Sequence, residues 1–220
     1  MGLVLFALGL LSFYTFNGIP FKVLYALFSI VAFVELLSFL KKHASVPCII
    51  LVTIESIVLT CGVVFIAKIN TTIFWYLLLG VPGYDIFAYL FGKLLGGNVF
   101  GKSRPFPKIS KNKTWEGTIL GLLMSFVMVA IMVAARQALD IEWVFLLCGP
   151  LALIGDLFES YIKRQFRIKD SNEVLIKNKI FGKLELVVGG SSGHGGFLDR
   201  LDSTAFTCTI LLLIFMIMGY

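Results

Sequence analysis

Apolar runs long enough to cross a lipid bilayer recur along the whole chain, at about 2–16, 19–40, 46–67, 71–92, 115–135, 142–163 and 204–220. A hydrocarbon core of roughly 30 Å takes about 20 such residues per helix, because each backbone polar group inside it must find its partner within the segment. The pattern predicts an all-α, polytopic transmembrane helix bundle of about seven spans. The first run is the shortest; it lacks a basic flank and a small-residue cleavage site, so a span is expected there rather than a removable signal. Charged residues make up 15% of the 220, against about a quarter in soluble domains. No internal repeat or low-complexity linker divides the sequence, so 1–220 reads as a single integral membrane domain, with N-terminal spans over 1–75.

Sixteen of the nineteen Lys and Arg fall on one set of alternate connections, leaving Lys22, Lys68 and Arg136 on the other. The positive-inside rule then places the two long loops, about 93–114 and 164–203, in the cytoplasm, where they meet anionic headgroups as well as any substrate. This asymmetry accounts for most of the net charge of +6. With neither zinc-finger spacing nor aromatic residues interleaved with basic ones, no nucleic acid is expected as a partner. Cys48, Cys61, Cys148 and Cys208 stand singly in apolar runs and read as packing residues.

Carboxylates inside apolar spans are costly and ask for a reason. Glu35 and Glu55 each stand alone and read as structural groups, neutralised or bound to a single hydroxyl. The stretch 155–164 differs, because Asp156, Glu159, Ser160, Lys163 and Arg164 share one helical face. That stripe is either a self-neutralising ladder or one wall of a polar site. Just before the last apolar run lies GHGGFLDRLDS, at 193–203. Gly193, Gly195 and Gly196, around His194, would let backbone N–H groups approach a phosphate. Asp199 and Asp202, three apart, could face one Mg²⁺, and Arg200 could fork a phosphate. A third group closes the first cytoplasmic loop: Ser110, Lys111, Lys113, Thr114 and Glu116. Thr114 and Glu116 suit a helix cap and first turn. Asp85 lies about two turns into the span that leads to this loop. Acids that hold cations, glycine-rich backbone, and cations that neutralise phosphate oxygens are the ingredients of metal-assisted phosphoryl or nucleotidyl transfer. No P-loop and no nucleophile-base motif is present.

These residues carry a resemblance. Ser160-x-x-Lys163-Arg164, Lys169-Asp170-Ser171 and GHGGFLDRLDS, supported by SKNKTWEG at 110–117 and DIFAYLFGK at 85–93, resemble the phosphatidate cytidylyltransferase family, also called CDP-diacylglycerol synthases. The likeness covers about 80–210 and makes 76–220 the catalytic region. It implies that CTP and phosphatidic acid are joined into CDP-diacylglycerol and pyrophosphate, with dependence on Mg²⁺. Whether a second cation takes part stays open. It further implies Asp156, Asp199 and Asp202 as metal ligands; Ser160, Lys163, Arg164, Lys169, His194 and Arg200 as phosphate-handling groups, with Asp170 among the catalytic residues; and Ser110, Lys113, Thr114 and Glu116 about the nucleotide, with Asp85 nearby on a pocket wall. Membrane lipids as partners, a homodimer, and a bacterial inner-membrane location with a cytoplasmic active site complete what it implies.

Two departures stand out. Residues 173–192 form an insertion where the family has only a few residues, and Ser192 and Lys111 occupy common proline positions. An insertion with matched ends either loops out at small entropic cost or loosens the site. Three rivals differ in chemistry. A CTP-dependent lipid kinase, of the polyprenol or phytol kinase kind, is disfavoured by the complete GHGGFLDRLDS string. An ion-coupled transporter would show repeated halves and broken midplane helices, and neither is visible. A CDP-alcohol phosphotransferase would carry a spaced triple-aspartate motif that is absent.

Overall fold

A computed structural model describes residues 19–101, 103–136, 142–168, 171 and 196–219. Among them every regular element is helical: α1 (Ile19–Phe39), α2 (Val46–Lys68), α3 (Thr71–Leu95), α4 (Trp115–Arg136), a 3₁₀ turn (Glu142–Leu147), α5 (Cys148–Gln165) and α6 (Leu198–Met218). Six helical segments are long and apolar enough to cross a membrane, and the chain is an integral membrane protein. They match six of the seven expected spans; the run at 2–16 lies outside the described residues. The last helix starts at Leu198, about two turns before its apolar run, so Asp199 and Asp202 stand on its first turns.

The outer faces are what lipid requires. Ile30, Ile50, Ile57, Ile86, Ile131 and Ile217 are exposed, while Tyr76, Tyr84, Phe39, Phe145 and Leu211 fill the interior. Small residues decide which helices approach most closely. On α4, a Cβ at Gly121 would fall 2.8 Å from the Ala88 Cβ of α3, and Gly117 faces the same stretch. These contacts make α3 and α4 the most extensively packed pair. On α5, a Cβ at Gly155 would come within 3.0 Å of Ser203 Cα and 3.1 Å of the Asp202 carbonyl. The absence of that Cβ lets α5 lie against α6 where both carry their acids. Pro82 interrupts the α3 ladder, and close by the Ser125 hydroxyl of α4 donates to the Gly80 carbonyl at 2.7 Å.

The two ends of the bundle are built differently. At one, Lys22 Nζ donates to the carbonyls of Ala67 and Ile69 at 3.1 and 2.7 Å, tying the start of α1 to the end of α2. At the other, the end of α1, the 96–114 loop, the end of α5 and the start of α6 converge, and the charged residues gather there.

Candidate active site

Thr114 precedes α4, and its Oγ1 accepts the Gly117 N–H at 3.1 Å. Glu116 then reaches back across the preceding loop, where its Oε1 accepts the N–H groups of Gly97, Val99 and Phe100 at 3.0, 3.1 and 3.0 Å. The capping reading of these two residues therefore holds, and Glu116 does more than sit at a dipole: it organises the turn that leads out of α3. Between α3 and this loop lies a cavity of about 400 Å³, lined by Tyr84, Asp85, Tyr89, Lys93, Ser110, Asn112, Lys113, Thr114 and Asp156 among others. Its floor is an ion pair from two distant parts of the chain, Lys113 Nζ to Asp156 Oδ2 at 2.5 Å. Lys113 also stands 5.5 Å from the centre of the Tyr84 ring. Burial opposes charge on this lysine, but Asp156, Tyr84 and Asp85 outweigh it and raise its pKa above the ordinary value.

The shared face of α5 is only partly a ladder. Lys163 bonds Glu159 on its own helix at 2.6 Å, and Ser160 Oγ lies 3.4 Å from Asp156 Oδ1. Lys163 also crosses to Asp199 Oδ1 of α6 at 2.7 Å. Asp199 Oδ2 accepts the N–H groups of Ser171 and Gly196 at 3.2 and 2.8 Å. Asp202 is buried, with Oδ1 on the Ser203 N–H at 2.6 Å, and it feels the charges of Asp156, Asp85 and Lys163. Five carboxylates, Asp85, Asp156, Glu159, Asp199 and Asp202, thus surround two ammonium groups, Lys113 and Lys163.

Arg164 and Arg200 stand apart from this centre. Arg164 donates to the carbonyls of Ile109 and Ile168 at 3.3 and 3.0 Å, pinning the first loop to the end of α5. Arg200 stacks 5.9 Å over the Phe197 ring on the wall of a separate apolar groove of about 800 Å³ between α1, α3 and α6. Gly196 serves the fold directly: its N–H goes to Asp199, and a Cβ there would fall 2.7 Å from Glu35 Oε1. Lys169, Asp170, Gly193, His194, Gly195 and the insertion 173–192 lie outside the described residues.

Sequence reasoning missed Glu35. It is fully buried, and it accepts the Ser171 hydroxyl at 2.8 Å together with the backbone N–H groups of Phe197 and Leu198, each at 2.9 Å. The sequence expectation is neutralisation or a single hydroxyl partner; the structure supplies the hydroxyl and adds two backbone amides. The available signal was an apolar residue at the cap position of an aspartate-bearing helix, which leaves that helix in need of an acceptor from elsewhere. Glu55 is buried in α2, and among the described residues its Oε2 has no hydrogen-bond partner.

Residues 1–177 match the profile of the cytidylyltransferase family. The chain belongs to this family. Among its relatives are phosphatidate cytidylyltransferases of Rickettsia bellii, 38% identical over 141 residues, with 59% of this chain and 52% of the relative covered; of Helicobacter pylori, 32% over 204 residues, covering 87% and 64%; and of Brucella abortus, 36% over 132 residues, covering 59% and 41%. The chain spans about half to two thirds of the length of the first two relatives.

Among the described residues no three of His, Cys, Asp or Glu gather closely enough for a complete metal-ligand set. Asp156 is turned to Lys113 and Asp199 to Lys163, so Asp156, Asp199 and Asp202 do not assemble into one. The donor chemistry nevertheless suits Mg²⁺, which is commonly held by one or two carboxylates plus substrate phosphates. Carboxyl groups outnumber ammonium groups in this cluster, five to two.

Proposed function

We propose that this cytidylyltransferase-family chain transfers the cytidylyl group of CTP to phosphatidic acid, giving CDP-diacylglycerol and pyrophosphate, at the cytoplasmic face of a bacterial plasma membrane. The observation that carries the reading is the Lys113–Asp156 pair in the wall of a polar cavity, which joins the SKNKTWEG loop to the acidic face of α5. A nucleoside triphosphate needs such a chamber, with hydroxyls, amides and a fixed ammonium, at a membrane surface. Its relatives' names point the same way. The Lys and Arg bias of the loops at that end supports the orientation.

In this reading Lys113, with Ser110 and Asn112 on the same wall, receives the triphosphate, and Tyr89 offers a flat surface to the base. The apolar groove lined by Phe28, Leu78 and Leu201 accommodates acyl chains. Asp156 and Asp202 would hold Mg²⁺, which when bound supplies positive charge to the phosphate oxygens. An anionic oxygen of phosphatidic acid forms a bond to the α-phosphorus of CTP as the bond to the bridging α–β oxygen breaks, and pyrophosphate departs with that electron pair. The attacking oxygen is already ionised, so neither a general base nor a covalent enzyme intermediate is needed. Lys163, fixed between Glu159 and Asp199, keeps those two carboxylates from repelling the incoming phosphates.

The test is label transfer by purified protein in detergent with phosphatidic acid and Mg²⁺. CTP labelled at the α-phosphate is expected to put label into lipid with release of pyrophosphate. Label reaching lipid only from the γ-phosphate would replace the reading with a lipid kinase, and transfer of neither label would refute both.

A further inference from the structure

The helix bearing both aspartates of DRLDS begins without a cap of its own. Phe197 occupies the cap position and its side chain makes no capping hydrogen bond, whereas a helix start exposes N–H groups that need acceptors. The acceptor comes from α1, 162 residues away, where Glu35 Oε1 takes the Phe197 N–H. Oε2 takes the Leu198 N–H and the Ser171 hydroxyl. A carboxylate at this end also suits the helix dipole.

The residues that Glu35 touches are bound up with those that hold Asp199. Ser171 gives its hydroxyl to Glu35 and its N–H to Asp199 Oδ2. Gly196 gives its N–H to the same Asp199 oxygen, and a Cβ there would run into the Ser171 hydroxyl first and the Glu35 carboxylate next. Asp199 Oδ1 in turn fixes Lys163. A continuous set of short bonds therefore runs from a carboxylate in the second apolar run of the sequence to an ammonium in the polar cluster.

We propose that Glu35 is a positioning residue for cytidylyl transfer, acting through Ser171 and the α6 N-terminus to hold Asp199 and Lys163 in register. The inference rests on the cytidylyltransferase reading. Ordinary helix capping would stabilise α6 and leave chemistry alone; a positioning role makes turnover depend on the quality of the clamp. The isosteric Glu35→Gln keeps one carbonyl acceptor and replaces the other oxygen by a donor, so either the Phe197 or the Leu198 N–H loses its acceptor.

The experiment uses the purified full-length chain, wild type against Glu35→Gln, Ser171→Ala and the double variant. Amide hydrogen exchange is expected to quicken about tenfold at residues 197–201 in Glu35→Gln while α2, α3 and α4 keep wild-type protection. In the label-transfer assay kcat is expected to fall about tenfold with the KM for CTP held within about twofold. The double variant is expected to lose little beyond Glu35→Gln, because both changes break one network. Unchanged exchange overturns the clamp. Faster exchange with wild-type kcat overturns the positioning role and leaves a structural cap, as does strict additivity of the two changes. A wild-type chain that transfers no label defeats the cytidylyltransferase reading and with it the catalytic part of the proposal, while the exchange data still decide whether Glu35 holds α6.

Discussion

Around the 400 Å³ cavity, Lys113 and Asp156 keep 16% and 30% of their side chains exposed. At the junction of α1 and α6, Glu35 is fully enclosed and gives its oxygens to Ser171, Phe197 and Leu198. Both regions put carboxylates at the same end of the bundle, yet they use them differently. The cavity pair faces open volume and can exchange a protein partner for a phosphate. The clamp is already satisfied by the protein, with two backbone N–H groups and one hydroxyl as its donors, so binding there would cost more than it gains. Between them stand Lys163 and Asp199, more covered than the cavity pair at 11% and 15% side-chain exposure. Under the proposed function, the difference separates groups that would handle substrate from groups that would aim them.

The sharpest break in this comparison is at Asp202, which is buried on α6 yet within range of the charges of Asp156 and Asp85. Asp202→Ala is expected to cut turnover on the order of a hundred- to a thousandfold while the protein elutes as a folded species. Near-wild-type turnover would move the site away from α6. Next is Lys113→Ala on the cavity side. Loss of one partner of a partly covered charge pair costs about 2 kcal/mol, the low end for such pairs, or roughly thirtyfold in kcat/KM for CTP. The expected loss lies mainly in KM, whereas a clamp variant loses kcat; equal losses in both parameters at both positions would erase the distinction.

A smaller effect is expected from Glu116→Gln. It keeps an acceptor for the Gly97, Val99 and Phe100 N–H groups but removes the charge, so limited proteolysis within 96–101 should quicken by about threefold. The smallest concerns pH. Since the folded-state pKa of Lys113 is raised above 10.5, its charge and its pairing are complete below that value and are lost only as pH rises through the higher folded one. CTP affinity measured between about pH 7 and 9 should show no step from this group. A step that disappears in Lys113→Arg would contradict that assignment.

The stripe on α5 shows how far local pattern reaches. Helical spacing places Asp156, Glu159, Ser160, Lys163 and Arg164 on one face, and the Glu159–Lys163 pair at 2.6 Å follows from that spacing alone. Asp156 does not complete the ladder, because Lys113 comes from another loop to take it. Arg164, free by spacing to serve a phosphate, holds the Ile109 and Ile168 carbonyls. Hydropathy placed the last span late for a related reason. Asp199, Arg200 and Asp202 lower the apolar content of the first turns of α6, although those turns are helical and their acids have partners inside the protein.

What the sequence determined by itself is therefore six of the spans, the Thr114 cap and the i, i+4 pair of Glu159 with Lys163. Each depends on neighbours within a turn or on the thickness of a bilayer. Only the tertiary structure decided that Lys113 meets Asp156, that Ser171 and Glu35 crowd Gly196, and that a lone carboxylate in α1 caps a helix 162 residues further on. The physical reason is that a buried donor must be paired wherever packing happens to bring an acceptor, and packing here was set by Gly117, Gly121 and Gly155 letting particular helices close on one another.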